Sequence, residues 1–378
     1  MRIKGVRAQA VDLRRALENK PIDRPGKATS SKPKRLPPQP AARHPARWPR
    51  AMCVVDTDDG TFGCGTTIAS GPVCSIINDH LADIVVGESA MATEKIYDLL
   101  IRATASYGNS GVTSHAIAAV DLALWDLKGK LLGRPVYELL GGPQKDHIPC
   151  YATGVDVEWY RDLGFPAVKL PLPFDPTDGV RGIAEAERTF AKVREQVGPD
   201  IDLMLDCWLA LDVEYTVRLG TALRPYNLRW IEDYLLPEET AGFRAVRQRL
   251  PDQGLATGEH WYTTQRFAEA ISERWVDVLQ PDVAWMGLTP CVHVCHMAAA
   301  AGLAFAPHGG MNTPYGQHLV FALPAATLGE LGVSGKVPLA ERIQLPGTAV
   351  VEDGKLVPSA EPGFGLEVDR SWLEKVAL

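Results

Sequence analysis

The chain has 378 residues, of which 46% are hydrophobic, and a formal net charge of −7. This length predicts one large and one smaller domain, and the apolar fraction suffices for substantial cores. The negative charge argues against nucleic acid or an anionic membrane as a general partner. Seven scattered cysteines, no signal-peptide apolar region and no bilayer-length apolar stretch predict a cytoplasmic protein.

The first part of the chain predicts strands followed by helices. Residues 2–13 alternate like a strand, and residues 51–68 read as a hairpin around Asp58-Asp59-Gly60. Helical spacing follows over 73–86, 93–105 and 111–133, and Gly133-Arg-Pro135 closes the last helix. We therefore predict an α+β domain over residues 1–140.

Residues 20–50 hold eight prolines and an excess of lysine and arginine. This composition is incompatible with regular structure and predicts a long loop, solvated or lid-like. A nucleic-acid site is the less favoured interpretation, because the loop is joined to an acidic protein.

From Ile148 onward the sequence alternates between strand and helix patterns. Eight units of about 25 residues favour a (β/α) barrel over an open doubly wound sheet. No GxGxxG motif follows an early strand, which argues against a dinucleotide fold. We predict the barrel over residues 141–339, with residues 340–378 returning to the first domain. The candidate strands are HIPCYATG, FPAVKL, DLMLD, LRWIE, LATGE, VDVLQPD, GLAFAPH and a segment near 325–331.

Three acidic residues, Asp206, Glu232 and Glu259, each end a short apolar run at similar spacing. A single acid at a strand end commonly caps the next helix, but glutamate does so rarely. Three acids in phase would converge at the mouth of a barrel, where the active sites of this fold lie. Hard oxygen ligands gathered there favour a divalent cation such as Mg²⁺.

The same spacing continues to Asp282 and His308 and extends back to Lys169. A lone histidine is more often structural, but a carboxylate one strand earlier could orient and activate it, so a His–Asp dyad is predicted. Lys169 could be a solvated strand-end lysine or could attract an anionic substrate past the carboxylates. The spacing along the chain also places Glu330 at the last strand, facing the site. By itself, a glutamate at this position would not indicate a functional role.

The segment Cys291-Val-His293-Val-Cys295-His296 has the residue types of a zinc site. On a helix, Cys291 and Cys295 share one face and the two histidines lie on another, so four ligands do not converge. We therefore do not predict zinc here.

Nine further motifs lie between about Ala51 and Asp369. They are GNSGVTSHAIAAVDLALWDLKGKLLGRPVYELLGG, CYATG, KLPLP, LMLDCW, RPYNLRWIED, GEHWYT, LQPDVAW, PHGG and PGFGLEVDR. In these motifs the chain resembles the enolase superfamily, mandelate racemase subgroup, and is most similar to its rhamnonate dehydratase branch.

The resemblance implies a modified TIM barrel, (β/α)₇β, capped by an α+β domain built from both chain ends, in a homo-oligomer, often an octamer. It implies Mg²⁺ bound by Asp206, Glu232 and Glu259. His308 would be the general base with Asp282 as its partner. Lys169 and His260 would contact substrate. Glu330 would stabilise the developing enediolate; it could donate a hydrogen bond only if protonated, which burial near carboxylates would favour.

We predict a Mg²⁺-dependent dehydratase of a sugar acid, with L-rhamnonate or a related aldonate as substrate. The alternatives are another aldonate or aldarate dehydratase, or a racemase or epimerase. Epimerising relatives often carry a second lysine two positions beyond the first, where this chain has Pro171, so a single base is expected. The loop over 20–50 does not match the rhamnonate branch. There, a histidine and an arginine contact the distal end of the sugar; His44, Arg43 and Arg47 are the candidates here.

Overall fold

The N-terminal part of the chain contains a three-stranded antiparallel sheet. The computed structural model describes residues 1–16, 48–333 and 335–378, so Arg43, His44, Arg47 and most of the predicted loop lie outside the described residues. Strands β1 (Ile3–Val11), β2 (Arg50–Thr57) and β3 (Phe62–Thr67) follow one another in the sheet. The predicted hairpin is confirmed, since β2 and β3 pair in register on either side of the Asp58-Asp59-Gly60 turn.

One long helix covers this sheet. A side chain on Gly63 or Gly65 would lie within about 2 Å of a backbone carbonyl of that helix, so glycine permits the close packing of strand and helix. The helices of this part are α1 (Ser70–Ile76), which continues through a π turn (Ile77–Leu81) into α2 (Ala82–Val85), then α3 (Thr93–Thr104), the long α4 (Val112–Leu132) and α5 (Val136–Leu139).

The second part of the chain forms a sheet of eight parallel strands, each hydrogen-bonded to the next. This confirms the predicted series of barrel strands. A parallel bridge between Phe305 and Ala326 connects the seventh strand to the segment that leads into the eighth, so the row of strands curves round to meet itself. The strands are β4 (Ile148–Thr153), β5 (Ala167–Pro171), β6 (Asp202–Asp206), β7 (Leu228–Glu232), β8 (Leu255–Thr257), β9 (Val278–Leu279), β10 (Ala304–Phe305) and β11 (Gly329–Gly332).

A helix or helix pair follows each of the first seven barrel strands, which confirms the predicted (β/α)₇β architecture. These helices pack on the outside of the sheet. Most are amphipathic, with apolar stripes against the sheet and polar faces toward solvent, whereas the last one, Pro314–Ala322, is buried over its whole length. They are α6 (Val157–Asp162), α7 (Gly179–Val197), α8 (Val213–Leu223), α9 (Thr240–Arg249), α10 (Thr264–Ser272), α11 (Val283–Met286) with α12 (Leu288–Ala301), and α13 (Pro314–Ala322).

Inside the barrel, a buried apolar layer lies below a polar one. Because side chains on one face of a strand recur every second residue, the polar layer follows the apolar layer two positions later on most of the strands; on β8 that position is Gly258. The apolar layer consists of Tyr151, Ala167, Met204, Trp230, Ala256, Val278, Ala306 and Leu328. Two residues beyond six of these lie Lys169, Asp206, Glu232, Gln280, His308 and Glu330.

The C-terminal segment contacts both parts of the structure. Strand β12 (Lys355–Leu356) pairs antiparallel with β4, whereas α14 (Arg370–Val376) lies near the chain start, where Ala377 bridges to Val11. Arg370 also forms an ion pair with Asp56 of β2. The contacts at both ends of the chain agree with a cap built from both termini, and the boundaries at residues 140 and 340 remain predictions.

Short 3₁₀ turns join several of these elements, at Leu13–Ala16, Pro176–Asp178, Arg224–Tyr226, Gly310–Asn312 and Leu339–Arg342. Across the described ranges, no helix combines the length and the apolar character needed to cross a membrane.

Candidate active site

Lys169 lies at the centre of the polar layer and is fully buried. Its Nζ forms an ion pair with Glu232 Oε1, lies 2.8 Å from Glu330 Oε1 and 3.9 Å from Asp206 Oδ2. Burial alone would lower the lysine pKa, but Glu232 and Glu330 raise the pKa of Lys169 well above its usual value. Lys169 is therefore a buried cation among carboxylates and not a solvated strand-end lysine.

Glu232 is held through both carboxylate oxygens. Its Oε2 accepts hydrogen bonds from the Trp230 indole nitrogen at 2.9 Å and the Gln280 amide nitrogen at 2.7 Å, whereas Oε1 faces Lys169. Sequence reasoning did not find Gln280. The two-residue repeat along a strand could have predicted it, because Gln280 lies two residues beyond Val278 and therefore in the same layer as the predicted acids.

His308 and Asp282 form the predicted dyad. His308 Nδ1 lies 2.8 Å from Asp282 Oδ2, and the other Asp282 oxygen accepts the backbone N–H groups of Ala284 and Trp285 at 2.7 and 3.0 Å. With Nδ1 held by the carboxylate, Nε2 is directed to the cluster and lies 3.3 Å from Glu259 Oε2. The turn with a single glycine after Asp282 preserves the pairing that a general base requires.

A second histidine–carboxylate pair lies beside Glu259. His260 Nδ1 is 2.9 Å from Asp233 Oδ2 and 3.5 Å from Glu259 Oε1, and Thr257 donates its hydroxyl proton to the other Asp233 oxygen. Possible ligand atoms of Asp233, Glu259 and His260 all lie within 4.8 Å of one another. Asp233 was not predicted, although it directly follows Glu232 in the sequence and is itself buried.

Burial raises the pKa of each of the three predicted ligand carboxylates. Burial, with the charge of nearby Asp206 and Glu330, raises the pKa of Glu232 to about 7 despite Lys169. Burial likewise raises the pKa of Asp206, and that of Glu259 well above its usual value, each with a contribution from other acids of the cluster. Buried, mutually repelling oxygen donors fit a hard divalent cation such as Mg²⁺.

The expectation that Glu330 is protonated is wrong for this structure. Although burial opposes ionisation, Lys169 and His308 lower the pKa of Glu330 to about 2. Its oxygens also accept hydrogen bonds from the Thr153 hydroxyl and from the Gly309 backbone N–H, the latter at 2.9 Å. Glu330 is an ionised acceptor whose neighbours are donors.

An aromatic wall, formed by Trp285, His115 and Tyr262, lies beside His308 and His260. The Trp285 ring centroid is 5.2 Å from that of His308 and 5.6 Å from that of His260. His115, on α4 of the N-terminal part, packs edge-on against Trp285 at 5.7 Å and against Tyr262 at 5.6 Å. The wall therefore joins the barrel mouth to the cap, a contact that no sequence motif indicated.

The four residues with zinc-ligand chemistry lie on different faces of α12. Cys291 and Cys295 are buried, and His296 is exposed. His293 Nε2 lies 2.9 Å from Glu94 Oε1. These placements follow the predicted helical spacing.

Both parts of the chain match described protein families. Residues 28–141 match the mandelate racemase / muconate lactonizing enzyme N-terminal domain, and residues 155–372 match the enolase C-terminal domain-like family. The chain is 39% identical over 333 residues to an L-rhamnonate dehydratase of Saccharopolyspora erythraea, covering 83% of this chain and 82% of the relative.

Solved structures agree with these matches. L-rhamnonate dehydratase from Gibberella zeae superposes with a TM-score of 0.87 at 30% identity, covering 100% of this chain and 96% of that one. A structure of rhamnonate dehydratase from the same organism complexed with Mg has a TM-score of 0.82 at 28% identity, with the same coverage. The chain therefore belongs to the mandelate racemase / muconate lactonizing enzyme family of the enolase superfamily.

Proposed function

We propose that this protein is a Mg²⁺-dependent dehydratase that converts a sugar acid, L-rhamnonate or a related aldonate, into a 2-keto-3-deoxy acid. The observation that carries the proposal is His308, whose Nδ1 is bound to Asp282 and whose Nε2 is directed to a buried carboxylate cluster. The names of the similar proteins support the reaction class and the substrate.

Asp206, Glu232 and Glu259 would hold the cation. Of these three, Glu259 is the one whose ligand atom lies within 4.8 Å of ligand atoms of both Asp233 and His260. When bound, Mg²⁺ would act as a Lewis acid that offsets the negative charge developing on the substrate carboxylate as the neighbouring proton leaves. The ion pairs of Lys169 place a second positive charge beside the same cluster.

His308 would then act twice. Its Nε2 accepts the proton from C2 of the substrate, and the electron pair of the broken C–H bond expels the 3-hydroxyl group. The imidazolium returns that proton to the departing oxygen, which leaves as water, and the enol product tautomerises to the 2-keto acid. Asp282 holds His308 Nδ1 and stabilises the imidazolium that forms.

Epimerisation is the second candidate, because His260 is oriented by Asp233 much as His308 is oriented by Asp282. Epimerisation needs two bases on opposite faces of C2. Pro171, which follows Lys169 by two residues on β5, supplies none. The two histidines contact the same Trp285 ring, which favours a shared side of the site.

The test is to incubate the purified protein and Mg²⁺ with a library of acid sugars and to detect 2-keto-3-deoxy product with semicarbazide. We expect L-rhamnonate or a related aldonate to react, EDTA to stop the reaction and added Mg²⁺ to restore it. The His308→Asn variant should bind Mg²⁺ normally yet give no product. Recovery of C2-inverted substrate carrying solvent deuterium, without keto acid, would favour the epimerase instead.

The substrate contacts of His260 and Lys169, homo-oligomeric assembly and a cytoplasmic location remain predictions that belong with this proposal.

A further inference from the structure

The two oxygens of Glu232 have different surroundings. Trp230 and Gln280 both donate to Oε2, at 2.9 and 2.7 Å, whereas Oε1 faces Lys169. Trp230, Glu232 and Gln280 are each about 1% exposed, so water does not compete for these bonds. Two N–H donors occupy the hydrogen-bonding capacity of Oε2. Oε1 accepts from Lys169, which leaves its second lone pair for a cation.

The two donors approach from different strands. Trp230 lies two residues before Glu232 on β7 and rises from the apolar layer, where it packs edge-on against Tyr151. Gln280 follows β9, two strands away, across β8. The Gln280 amide orientation is determined by its partner, because an amide oxygen turned toward the carboxylate would be repelled.

Together, these contacts hold the carboxylate at two points. The indole fixes the tilt of the carboxylate from below, and the amide fixes it from the side. Rotation that would bring both oxygens to one cation breaks two buried hydrogen bonds and leaves their donors unpaired, which is costly inside a protein.

We infer that Trp230 and Gln280 are positioning residues that restrict Glu232 to binding a divalent cation through Oε1 alone. This inference rests on the proposed cation site. A carboxylate confined to one oxygen suits the small octahedral shell of Mg²⁺ or Mn²⁺. Ca²⁺ instead accepts two-oxygen carboxylate ligands and larger, more flexible shells. The pair therefore contributes to metal selectivity as well as affinity.

The experiment measures binding of Mn²⁺, Mg²⁺ and Ca²⁺ by calorimetry, and of Mn²⁺ by electron paramagnetic resonance, without substrate. Trp230→Phe and Gln280→Met each remove one donor while keeping most of the buried volume. We expect Mn²⁺ and Mg²⁺ affinity to fall about 10- to 100-fold, the usual effect of losing a group that orients a ligand. Ca²⁺ affinity should fall less, so selectivity shifts toward Ca²⁺.

Trp275→Phe is the matched control. Trp275 is also buried and its indole donates to a glutamate, Glu273, at 3.0 Å, but outside the cluster. It should bind all three cations like the unaltered protein, and circular dichroism and thermal unfolding establish that each variant is folded. Two results would overturn the inference: unchanged metal affinity in both folded site variants, or an equal loss for all three cations. Absence of Mn²⁺ and Mg²⁺ binding by the unaltered protein would overturn the proposed function first.

Discussion

Lys169 Nζ lies 2.8 Å from Glu330 Oε1, and both side chains are buried. This ion pair joins the second and eighth positions of the barrel, β5 and β11, which lie on either side of β4. It keeps Glu330 ionised and places a fixed positive charge among acids that would otherwise repel one another. The charge balance of the site therefore depends on Lys169 as well as on any bound cation.

Replacing Lys169 by methionine should destabilise the metal-free protein by about 3–5 kcal/mol, because it leaves buried carboxylates without their partner. Mg²⁺ should restore more stability to the variant than it adds to the unaltered protein, since the cation relieves the same repulsion. Urea unfolding in EDTA and in Mg²⁺ measures both effects.

Lys130→Met is the control for that comparison, because Lys130 pairs at 2.7 Å with the buried Asp126 away from the carboxylate cluster. It should lose stability, yet gain no more from Mg²⁺ than the unaltered protein does. An equal Mg²⁺ increment in the Lys169 variant would contradict the assigned role.

Asp282→Asn should lower kcat by at least about 10²-fold while changing stability little. The asparagine carbonyl oxygen can still accept the backbone bonds of Ala284 and Trp285. Its amide group would donate to His308 Nδ1 and so put the imidazole proton on Nε2, where the base must be free. Turnover assays with thermal unfolding check this, and a variant that keeps full activity would exclude the dyad.

Thr289→Val should destabilise the protein by about 2–3 kcal/mol. The Thr289 hydroxyl donates to Asp121 Oδ1 at 2.6 Å and accepts from the Trp125 indole at 2.8 Å, so it links α4 to α12 inside the protein. Valine has the same shape but removes the partner of Asp121 Oδ1 and of the Trp125 indole, while the backbone N–H of residue 289 still donates to Asp121 Oδ2. Thr289→Ser should retain most of the stability in urea unfolding, and a Val variant as stable as the Ser variant would contradict the network.

Stability should fall as pH drops below about 6.5, partly because of His318. Burial lowers the pKa of His318 to about 3, and its Nδ1 accepts a hydrogen bond from the Tyr137 backbone at 3.3 Å. The folded state keeps the ring neutral while the unfolded chain takes up a proton. The contribution of His318 is therefore fully present above the unfolded pKa and is lost as pH falls toward 3, by roughly 1.4 kcal/mol per pH unit.

Urea midpoints between pH 7.5 and pH 5 test this dependence. His318→Asn should be less stable at pH 7.5 but should lose less stability on acidification. His147→Gln is the control, since His147 is exposed, and it should retain the original slope. An unchanged slope in the His318 variant would rule out this histidine as the cause.

Sequence reasoning alone was enough to predict the order and phase of the barrel strands, and to name the acidic residues and the histidine–aspartate pair at their ends as site candidates. It could do so because strand phase is local: Asp206 and Glu232 follow their apolar residues by two positions, and β6 and β7 then pair them directly. The hairpin and α4 could also be predicted from local sequence, because a turn sequence and a helical repeat are recognisable without a distant partner.

Which groups share protons and charge at the barrel mouth depends on contacts between distant strands. Glu330 is ionised because Lys169 reaches it across β4, and Glu232 is held because Gln280 reaches it across β8. These contacts depend on the angular position of each strand around the barrel and on the height of each side chain. Neither quantity is encoded in a short motif, and both follow once the eight strands pair in register.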